Sequence, residues 1–333
     1  MIDDIFVNNK VWEKFSDEEL VVFAKKVFEH YRKDGFPYFK LSETEIDKEI
    51  KKLRDYNTDS ILQADNKLKQ VMTGLNLVNY FMPHMWETKC HSFTTPMAAF
   101  DDDVMFMKAI NKRIKLGDNM SDAGMRKALS WVSGTHRVSN FRPTIAKWIY
   151  DNFSGDGNVL DFSCGYGGRL FGALSSDKVK TYTGTDPCTE TFNQLNNMNT
   201  RIKSDKTIIL YNKPFEDLEL ENNVYDLSFS SPPYFNTEEY SYEETQSFIR
   251  YNTKAIWKDS FLKPLIEKNF SCLKQDGVFI INIANVKTYP TLEEDTLKIC
   301  EEIGFKLFNT YKMSLSALMT KGFKYEPVFC FKK

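Results

Sequence analysis

Residues 158–174 read NVLDFSCGYGGRLFGAL, and this stretch decides the fold. A short β-rich run ends at Asp161, a glycine turn follows with Gly165 and Gly167, and a helical pattern begins after it. Glycine lets the main chain approach a ligand without a Cβ in the way. A strand that leads through such a turn into a helix presents backbone N–H groups to a nucleotide-like ligand. An alternative without a ligand stays open, because such turns are often only tight strand–helix connections.

A second acidic residue fits the same kind of ligand. The run YTGTDP at 182–187 ends a second strand with Asp186, about 20 residues after the glycines, where a carboxylate can accept hydrogen bonds from two ribose hydroxyls. The turn has the spacing GxGG and not GxGxxG, and Asp161 precedes it. These features disfavour a pyrophosphate-binding dehydrogenase and suit a ligand with a positive amino group.

The third informative run is YDLSFSSPPYFNTEEY at 225–240. A strand over Asp226–Ser230 ends in Ser231-Pro232-Pro233-Tyr234, which predicts a rigid turn at the carboxyl edge of the sheet, beside the glycine turn. A polyproline ligand for WW-type domains is the alternative interpretation, but that ligand needs Pro-Pro-x-Tyr, which this turn lacks.

The wider chain divides near residue 138. Residues 1–138 are predicted to form a helical domain, with a capping box from Ser42 to Glu45 among its helix starts. From 139 to 333, short β-rich runs alternate with helical segments, which predicts a parallel α/β sheet. The predicted strands are Asn158–Phe162, Thr181–Thr185, Thr207–Leu210, Tyr225–Phe229 and Val278–Ile283, with Phe305–Met313 and Glu326–Phe331 as a closing antiparallel pair.

The charge balance excludes a protein that holds nucleic acid by bulk positive charge, since 44 Lys+Arg face 46 Asp+Glu. A local excess lies between Val104 and Arg142, where Asp118 and Asp122 are the acidic residues. The basic residues there are Lys108, Lys112, Arg113, Lys115, Arg126, Lys127, Arg137 and Arg142. This stretch is expected either to contact DNA phosphates or to be a solvated face.

The cysteine spacing indicates whether a metal site is present, and the N-terminal sequence indicates the cellular location. Six cysteines are widely spaced without a CxxC pair, so they are expected to be reduced and mostly buried, and no metal site is predicted. The N-terminal run MIDDIFVNNK is acidic and polar, and no stretch approaches about 18 uninterrupted apolar residues. The expected location is the cytoplasm, with no membrane segment.

The strand, glycine turn, second acid and Ser-Pro-Pro-Tyr run, in this order, resemble the S-adenosylmethionine-dependent amino methyltransferases of DNA. Their motif is (Asp/Asn/Ser)-Pro-Pro-(Tyr/Phe), and the serine form with a later aromatic, here Tyr240, is most typical of the cytosine N4 enzymes. Trp257 and the runs LKQDG at 273–277 and YEPVF at 325–329 are similar to the same family. The resemblance covers about 139–333 and implies an α/β fold with a Rossmann-like class I methyltransferase sheet after an N-terminal helical domain.

The resemblance also implies S-adenosylmethionine as cofactor and a set of residues that bind it. Asp161 would hold the methionine end through its amino group or a water, and Asp186 would take the ribose. Phe141 corresponds to the aromatic that packs on the cofactor, and Phe215 is either a flank for the adenine or a core residue. The full implied set is Phe141, Asp161, Phe162, Gly165, Gly167, Asp186 and Phe215.

The catalytic assignment falls on Ser231, Pro232, Pro233 and Tyr234. An exocyclic amino group is a poor nucleophile because its lone pair is delocalised into the ring. Ser231 Oγ and the carbonyl oxygen of Pro232 can each accept one N–H hydrogen bond, which favours a pyramidal nitrogen aimed at the sulfonium methyl. Tyr234 would stack on a base that has left the duplex, while the two prolines keep the turn rigid.

The predicted function is methylation of a DNA exocyclic amino group, with cytosine N4 preferred over adenine N6 and a restriction-modification role as context. Two alternatives stay open: an RNA or protein-glutamine amino methyltransferase, and an inactive methyltransferase fold that serves as a nucleic-acid-binding partner. Cys164 and Cys188 invite comparison with cytosine C5 methylation but are interpreted as packing residues. The N-terminal helices are the candidate target-recognition region, because the catalytic part leaves no room for one.

Overall fold

A computed structural model describes residues 9–317 and 323–333 of the chain. Its helices are α1 (Asn9–Trp12), α2 (Asp17–Asp34), α3 (Glu43–Arg54), α4 (Leu75–Phe81), α5 (Pro96–Asp101), α6 (Asp103–Lys115), α7 (Asp122–Trp131), α8 (Pro143–Phe153), α9 (Gly168–Ser175), α10 (Thr189–Ile202), α11 (Ser247–Arg250), α12 (Lys254–Trp257), α13 (Lys263–Cys272) and α14 (Leu292–Ile303). Its strands are β1 (Leu62–Gln63), β2 (Lys67–Leu68), β3 (Lys89–Cys90), β4 (Asn158–Asp161), β5 (Thr181–Thr185), β6 (Thr207–Tyr211), β7 (Tyr225–Ser230), β8 (Glu238–Glu239), β9 (Leu273–Asn282), β10 (Lys306–Ala317) and β11 (Phe323–Lys332).

The chain forms two compact units whose composition differs from the predicted division. One unit comprises residues up to Lys40 together with Pro83–Ser139, and the other comprises Leu41–Met82 together with Asn140–Lys333. The segment 41–82, predicted to belong to the helical domain, is therefore part of the sheet unit. The reason is tertiary: β2 pairs with β10, and α3 and α4 both contact α9. Residues 1–8 of the predicted domain lie outside the described residues.

The first unit is helical, as its sequence predicts. Ser16 caps α2 through a capping box, in which Ser16 Oγ accepts from the Glu19 N–H and the Glu19 carboxylate accepts from the Ser16 N–H. Tyr31 of α2 is buried, and its hydroxyl lies 2.9 Å from the carbonyl oxygen of Met120. This buried contact ties α2 to the start of α7.

The second unit is built on a nine-stranded sheet, counted over the described residues, in the order β1-β2-β10-β11-β9-β7-β4-β5-β6. Strands β4, β5, β6, β7 and β9 are parallel, and β11 runs antiparallel to both β9 and β10. This confirms the predicted Rossmann-like α/β sheet and its closing antiparallel pair. The short strands β1 and β2 were not predicted, because two-residue strands carry no periodicity of their own.

The burial of each parallel strand matches its position in the sheet. The central strands β4, β7 and β9 end in continuous buried runs, as expected for strands that have both faces covered, whereas β6 at the edge is buried on neither face. Aromatic rings fill the core on one side of the sheet, where Phe279 lies 4.9 Å from Phe305 and 5.9 Å from Phe331 between ring centroids. Close packing of α8 on α9 depends on Gly172, since a Cβ there would lie 2.6 Å from Ala146 Cβ.

The prediction that the six cysteines are reduced and mostly buried is confirmed, since all six thiols are free and buried. Among helices in the described ranges, none combines the length and the apolar character that a membrane crossing requires.

Candidate active site

The glycine turn and the Ser-Pro-Pro-Tyr turn follow two neighbouring strands, β4 and β7. Strand β4 pairs in parallel with β7, with Val159 opposite Leu227 and Leu160 opposite Ser228, so their carboxyl ends meet at one edge. The Ser230 hydroxyl lies 2.6 Å from Asp161 Oδ1, which joins the two strand ends directly. Chain connections reverse direction at β4, and in open α/β sheets ligands bind at such a point.

The glycine turn adopts a backbone conformation that favours glycine. Gly165 and Gly167 have φ values of 52° and 77°, in the left-handed region, and Gly167 precedes α9. A Cβ on Gly168 would lie 2.1 Å from the carbonyl oxygen of Phe141, so the segment before α8 lies directly against the turn. Asn140 reinforces that contact, because its Nδ2 donates to the carbonyl oxygen of Tyr166 at 2.8 Å.

Asp161 has a different role from the expected one. Its side chain is fully buried and accepts from Arg169 Nε at 2.9 Å, the Tyr182 hydroxyl at 2.7 Å, the Ser163 N–H at 3.2 Å and the Ser230 hydroxyl at 2.6 Å. These four donors fill the acceptor capacity of a carboxylate. Direct binding of a ligand amino group by Asp161 is therefore corrected: Asp161 holds the glycine turn and the end of β7 in place.

The Asp161–Arg169 pair sets the electrostatics under the turn. Burial lowers the pKa of the Arg169 guanidinium, but Asp161, acting together with Tyr182, Tyr150 and Cys164, raises it overall. Arg169 also donates to the carbonyl oxygen of Ser163, and its guanidinium lies 5.6 Å from the ring centroid of Phe141. A buried charge pair with satisfied hydrogen bonds fixes the turn without presenting a net charge to a ligand.

Asp186 follows the end of β5 directly, as the sequence predicts, and its side chain contacts the glycine turn. Asp186 Oδ2 accepts from the Gly165 N–H at 2.8 Å, and Asp186 Oδ1 accepts from the Cys188 N–H at 3.0 Å. Burial raises the pKa of this carboxyl to about 6, although the two backbone donors lower it. Each oxygen keeps an acceptor site beyond its backbone bond, so the carboxylate can accept from two further hydroxyls.

The aromatic candidates separate into two groups. Phe162 and Phe215 are 1% and 2% exposed, and their ring centroids lie 5.7 Å apart within the apolar core. The assignment of Phe162 to the cofactor is therefore corrected, and of the two interpretations of Phe215 the core residue is the one observed. Phe141 is half-buried beside the turn, with its ring 5.5 Å from Phe229 in an edge-on contact, and it keeps exposed surface at the site.

The Ser-Pro-Pro-Tyr turn follows β7 directly, and Ser231, Pro233 and Tyr234 are half-buried. The Tyr234 hydroxyl lies 3.3 Å from Ser231 Oγ, 3.2 Å from the carbonyl oxygen of Asn282 and 3.3 Å from Glu326 Oε2. Burial raises the pKa of this phenol well above its ordinary value, so it is protonated at neutral pH. The hydroxyl end of Tyr234 is thus anchored to β9 and β11, while stacking of its ring on a base stays a prediction.

Several polar residues at this edge were missed from the sequence. Glu326 and Glu238 lie near Tyr234, and burial raises the pKa of both carboxyls. The Tyr240 hydroxyl donates to Glu238, and its ring lies 6.0 Å from that of Tyr166. A signal existed for Glu326, because an acidic residue stands at the first position of the otherwise apolar predicted strand Glu326–Phe331.

Cys164 and Cys188 are buried, as expected of packing residues. Burial raises the pKa of both thiols, which disfavours the thiolate that a nucleophilic cysteine needs. Cys164 Sγ also lies 3.4 Å from the Tyr182 hydroxyl, within the network around Asp161.

The basic stretch is less available than its sequence suggests. Arg113 and Arg126 are buried: Arg113 Nη1 donates to Asp118 at 3.0 Å and Arg126 Nη1 to the carbonyl oxygen of Pro37 at 2.6 Å. Arg142, in the sheet unit, is half-buried and donates to the carbonyl oxygen of Asn140 and to Gln70 Oε1. The expected role of Arg113 and Arg126 as phosphate contacts is corrected, because both are buried and bonded to internal acceptors, whereas that of Arg142 stays a prediction.

A smaller basic surface remains exposed on the helical unit. Lys108, Lys112 and Lys115 are spaced along one face of α6 and are exposed, although Lys112 Nζ also donates to the carbonyl oxygen of Trp131 at 2.6 Å. Lys127 of α7 places its ammonium 4.3 Å from the ring centroid of Trp131, which is 50% exposed. These five residues are termed the lysine face. Over the described parts of the chain, no group of three His, Cys, Asp or Glu side chains could hold a metal ion.

No protein-family model matches the chain, and no curated protein matches its sequence. Solved structures match part of it. The chain is similar to magnesium protoporphyrin IX methyltransferase from Synechocystis PCC 6803 with bound S-adenosylmethionine, at 16% identity over 57% of this chain and 76% of that one, with a TM-score of 0.40. It is also similar to a geranyl diphosphate methyltransferase (11% identity, 57% and 84% covered, TM-score 0.42) and to the cyclase SpnF (15% identity, 52% and 60% covered, TM-score 0.39). The names of these proteins span two kinds of reaction, and a shared fold does not determine which reaction a chain performs.

Proposed function

We propose that this chain is an S-adenosylmethionine-dependent methyltransferase that modifies the exocyclic amino group of a base in DNA, with cytosine N4 preferred over adenine N6. The observation that carries the proposal is the meeting of the two turns at one sheet edge, joined by the 2.6 Å contact between Ser230 and Asp161. One turn offers open backbone and a carboxylate, and the other offers two acceptors for an amino group.

The cofactor proposal rests on how the first turn is built. Apart from its two chain neighbours, no described residue has an atom closer than 3.9 Å to a Cβ built on Gly165, so this side of the turn is open to a ligand. Asp186 keeps two acceptor sites beside it, which suits a pair of ribose hydroxyls. Phe141 offers a partly exposed ring at the same turn. When bound, S-adenosylmethionine supplies an electrophilic methyl group on a sulfonium sulfur.

The second turn supports an amino nitrogen as the methyl acceptor. When Ser231 donates its own proton to the Tyr234 oxygen, 3.3 Å away, the lone pairs of Ser231 Oγ stay free for a substrate N–H. The carbonyl oxygen of Pro232 is the second acceptor. Two acceptors on a rigid turn orient the amino group and favour its pyramidal, nucleophilic form.

DNA is the proposed partner, with the lysine face as its phosphate contact. Lys108, Lys112 and Lys115 form a row of like charge on α6, and Trp131 adds an aromatic surface beside Lys127. Basic rows beside exposed aromatic rings suit nucleic acid, since lysines neutralise phosphates and rings stack on unpaired bases.

A protein-glutamine amino methyltransferase is the second candidate. Four glutamates, Glu238, Glu239, Glu243 and Glu244, follow the Ser-Pro-Pro-Tyr turn within ten residues. Their charge repels phosphate groups and favours an uncharged substrate such as a planar side-chain amide, which the same two acceptors would bind.

A labelling experiment tests the proposal. Purified protein is incubated with methyl-labelled S-adenosylmethionine and with DNA, tRNA or protein, and label is expected in DNA. Ser231→Ala and Tyr234→Ala should largely abolish it, whereas Ser271→Ala, an exposed serine on α13, serves as the matched control. Label that appears in tRNA or protein but in no DNA would refute the DNA substrate, and sequencing of modified bases would separate cytosine N4 from adenine N6.

A further inference from the structure

A continuous line of hydroxyl and carboxyl groups runs from the Ser-Pro-Pro-Tyr turn into the sheet. Ser231 Oγ lies 3.3 Å from the Tyr234 hydroxyl oxygen, which lies 3.3 Å from Glu326 Oε2. A phenol carries one proton and can accept another, so Ser231 can donate to Tyr234 while Tyr234 donates to Glu326. The carbonyl oxygen of Asn282, 3.2 Å from the same phenol oxygen, is a second acceptor for that single proton, so the line is complete when Tyr234 turns its O–H to Glu326.

The proposed reaction needs a destination for a proton. An amino nitrogen that gains a methyl group becomes positively charged and must lose one of its protons. A serine hydroxyl can pass a proton on but is too weak a base to keep it. Glu326 is a half-buried carboxylate at the end of the hydrogen-bonded line, whereas the nearby Glu238 is bonded to Tyr240 instead.

We propose that Glu326 is the terminal proton acceptor of methyl transfer, and that Ser231 and Tyr234 conduct the proton to it. This inference rests on the proposed function, and it names a proton acceptor and two relay residues of that same site. The nitrogen forms its bond to the methyl carbon as the bond between that carbon and the donor sulfur breaks, with the broken bond's electron pair left on sulfur.

The proton then moves by three linked steps. The N–H bond breaks and its electron pair returns to nitrogen, while Ser231 Oγ takes the proton. The original proton of Ser231 passes to the Tyr234 oxygen, and the original proton of Tyr234 passes to Glu326 Oε2. The two hydroxyls end as they began, Glu326 ends neutral, and no oxidant or reductant takes part.

The surroundings of Glu326 suit a proton acceptor. Burial raises the pKa of its carboxyl, hydrogen bonds from Tyr234 and Asn282 and the charge of Lys324 lower it, and Glu293 raises it. The charge of Glu326 in turn raises the pKa of Glu238, so the two carboxyls are electrostatically linked. A net rise makes the ionised carboxylate a stronger base than an ordinary glutamate, and it predicts that kcat falls as the pH drops through this raised value.

The kinetic arm compares Glu326→Gln, Glu326→Asp and Tyr234→Phe on whichever substrate the wild type methylates. Glu326→Gln should lower kcat about 100-fold with KM changed little, and should remove the acidic limb of the kcat profile. Glu326→Asp should restore part of kcat, and Tyr234→Phe combined with Glu326→Gln should be no slower than the slower single variant. Asp295→Asn is the matched control, because Asp295 accepts from Tyr289 at 2.8 Å in a similar contact without a link to Ser231. An unchanged acidic limb and kcat in Glu326→Gln would overturn the relay.

The second arm does not depend on activity. In protein labelled with ¹³C at tyrosine Cζ, the Tyr234 resonance is assigned by its loss in Tyr234→Phe. It should shift with pH as Glu326 ionises, and the shift should disappear in Glu326→Gln while melting temperatures confirm that both variants fold. A Tyr234 chemical shift that has the same pH dependence in the wild type and in Glu326→Gln would overturn the relay. Absence of label in DNA would instead count against the proposed substrate, so the two failures are distinguishable.

Discussion

Titration of Asp186 should make cofactor binding depend on pH. Its pKa of about 6 in the free protein means that the carboxylate is about 90% ionised at pH 7 and about 10% ionised at pH 5. Ribose hydroxyls donate to the ionised form, so binding selects it and the affinity follows the ionised fraction. The affinity for S-adenosylmethionine should therefore fall about tenfold from pH 7 to pH 5, or about 1.4 kcal/mol.

The same titration contributes to the stability of the free protein, with the opposite dependence. Because the folded-state pKa lies above the ordinary value of 3.8, ionised Asp186 costs folding free energy at pH values above 6. With respect to this group, the folded state is therefore most stable below about pH 3.8, where Asp186 is protonated in both the folded and the unfolded chain. About 3 kcal/mol of the free energy of unfolding is lost as the pH rises from there to about 6. Asp186 is 8% exposed, so solvent screens it little.

Isothermal calorimetry at pH 5, 6 and 7 measures the effect, with Asp186→Asn as the test variant and Asp205→Asn as control, since Asp205 has a side chain that is 97% exposed. The wild type and the control should lose about tenfold in affinity between pH 7 and pH 5. Asp186→Asn should bind weakly at every pH, with no such slope. A wild-type affinity that is constant over this range, or a slope that survives in Asp186→Asn, would refute the reasoning.

Two further predictions concern the scaffold and the partner surface. Arg169→Met should lower the free energy of unfolding by about 3–5 kcal/mol in urea titrations, because it leaves the Asp161 charge buried without its partner; a loss below about 1 kcal/mol would contradict the assigned role of the pair. Replacing Lys108, Lys112 and Lys115 with glutamine should weaken DNA binding and reduce the slope of log K against log salt by about 3, whereas the same change at the exposed Lys48, Lys51 and Lys52 of α3 should leave the slope as it is.

Local sequence determined much of the sheet and both turns. The strands β4 to β7 and β9 were predicted because a run of apolar β-formers carries its own signal within five or six residues. Gly165 and Gly167 were predicted because a close approach of the main chain to a ligand needs residues without a Cβ, and their left-handed backbone is a local demand of the same kind. The two prolines make the second turn rigid wherever it lies. The contact of Asp186 with the glycine turn also follows from the adjacency of β4 and β5.

The tertiary structure alone decided which groups meet at the site. Asp161 was expected to face a ligand, yet its partner Ser230 is 69 positions away, and Tyr234 meets Glu326 across 92 positions. Such contacts depend on strand order, and periodicity over a few residues carries no information about it. For the same reason, the sequence of α3 indicated an apolar face but not that this face would pack in the sheet unit. The sequence likewise indicated a charge at Arg126 but not that the carbonyl oxygen of Pro37 would accept a hydrogen bond from it. Propensity and turn chemistry act within a few residues, whereas burial and hydrogen-bond partners are set by the packing of distant segments.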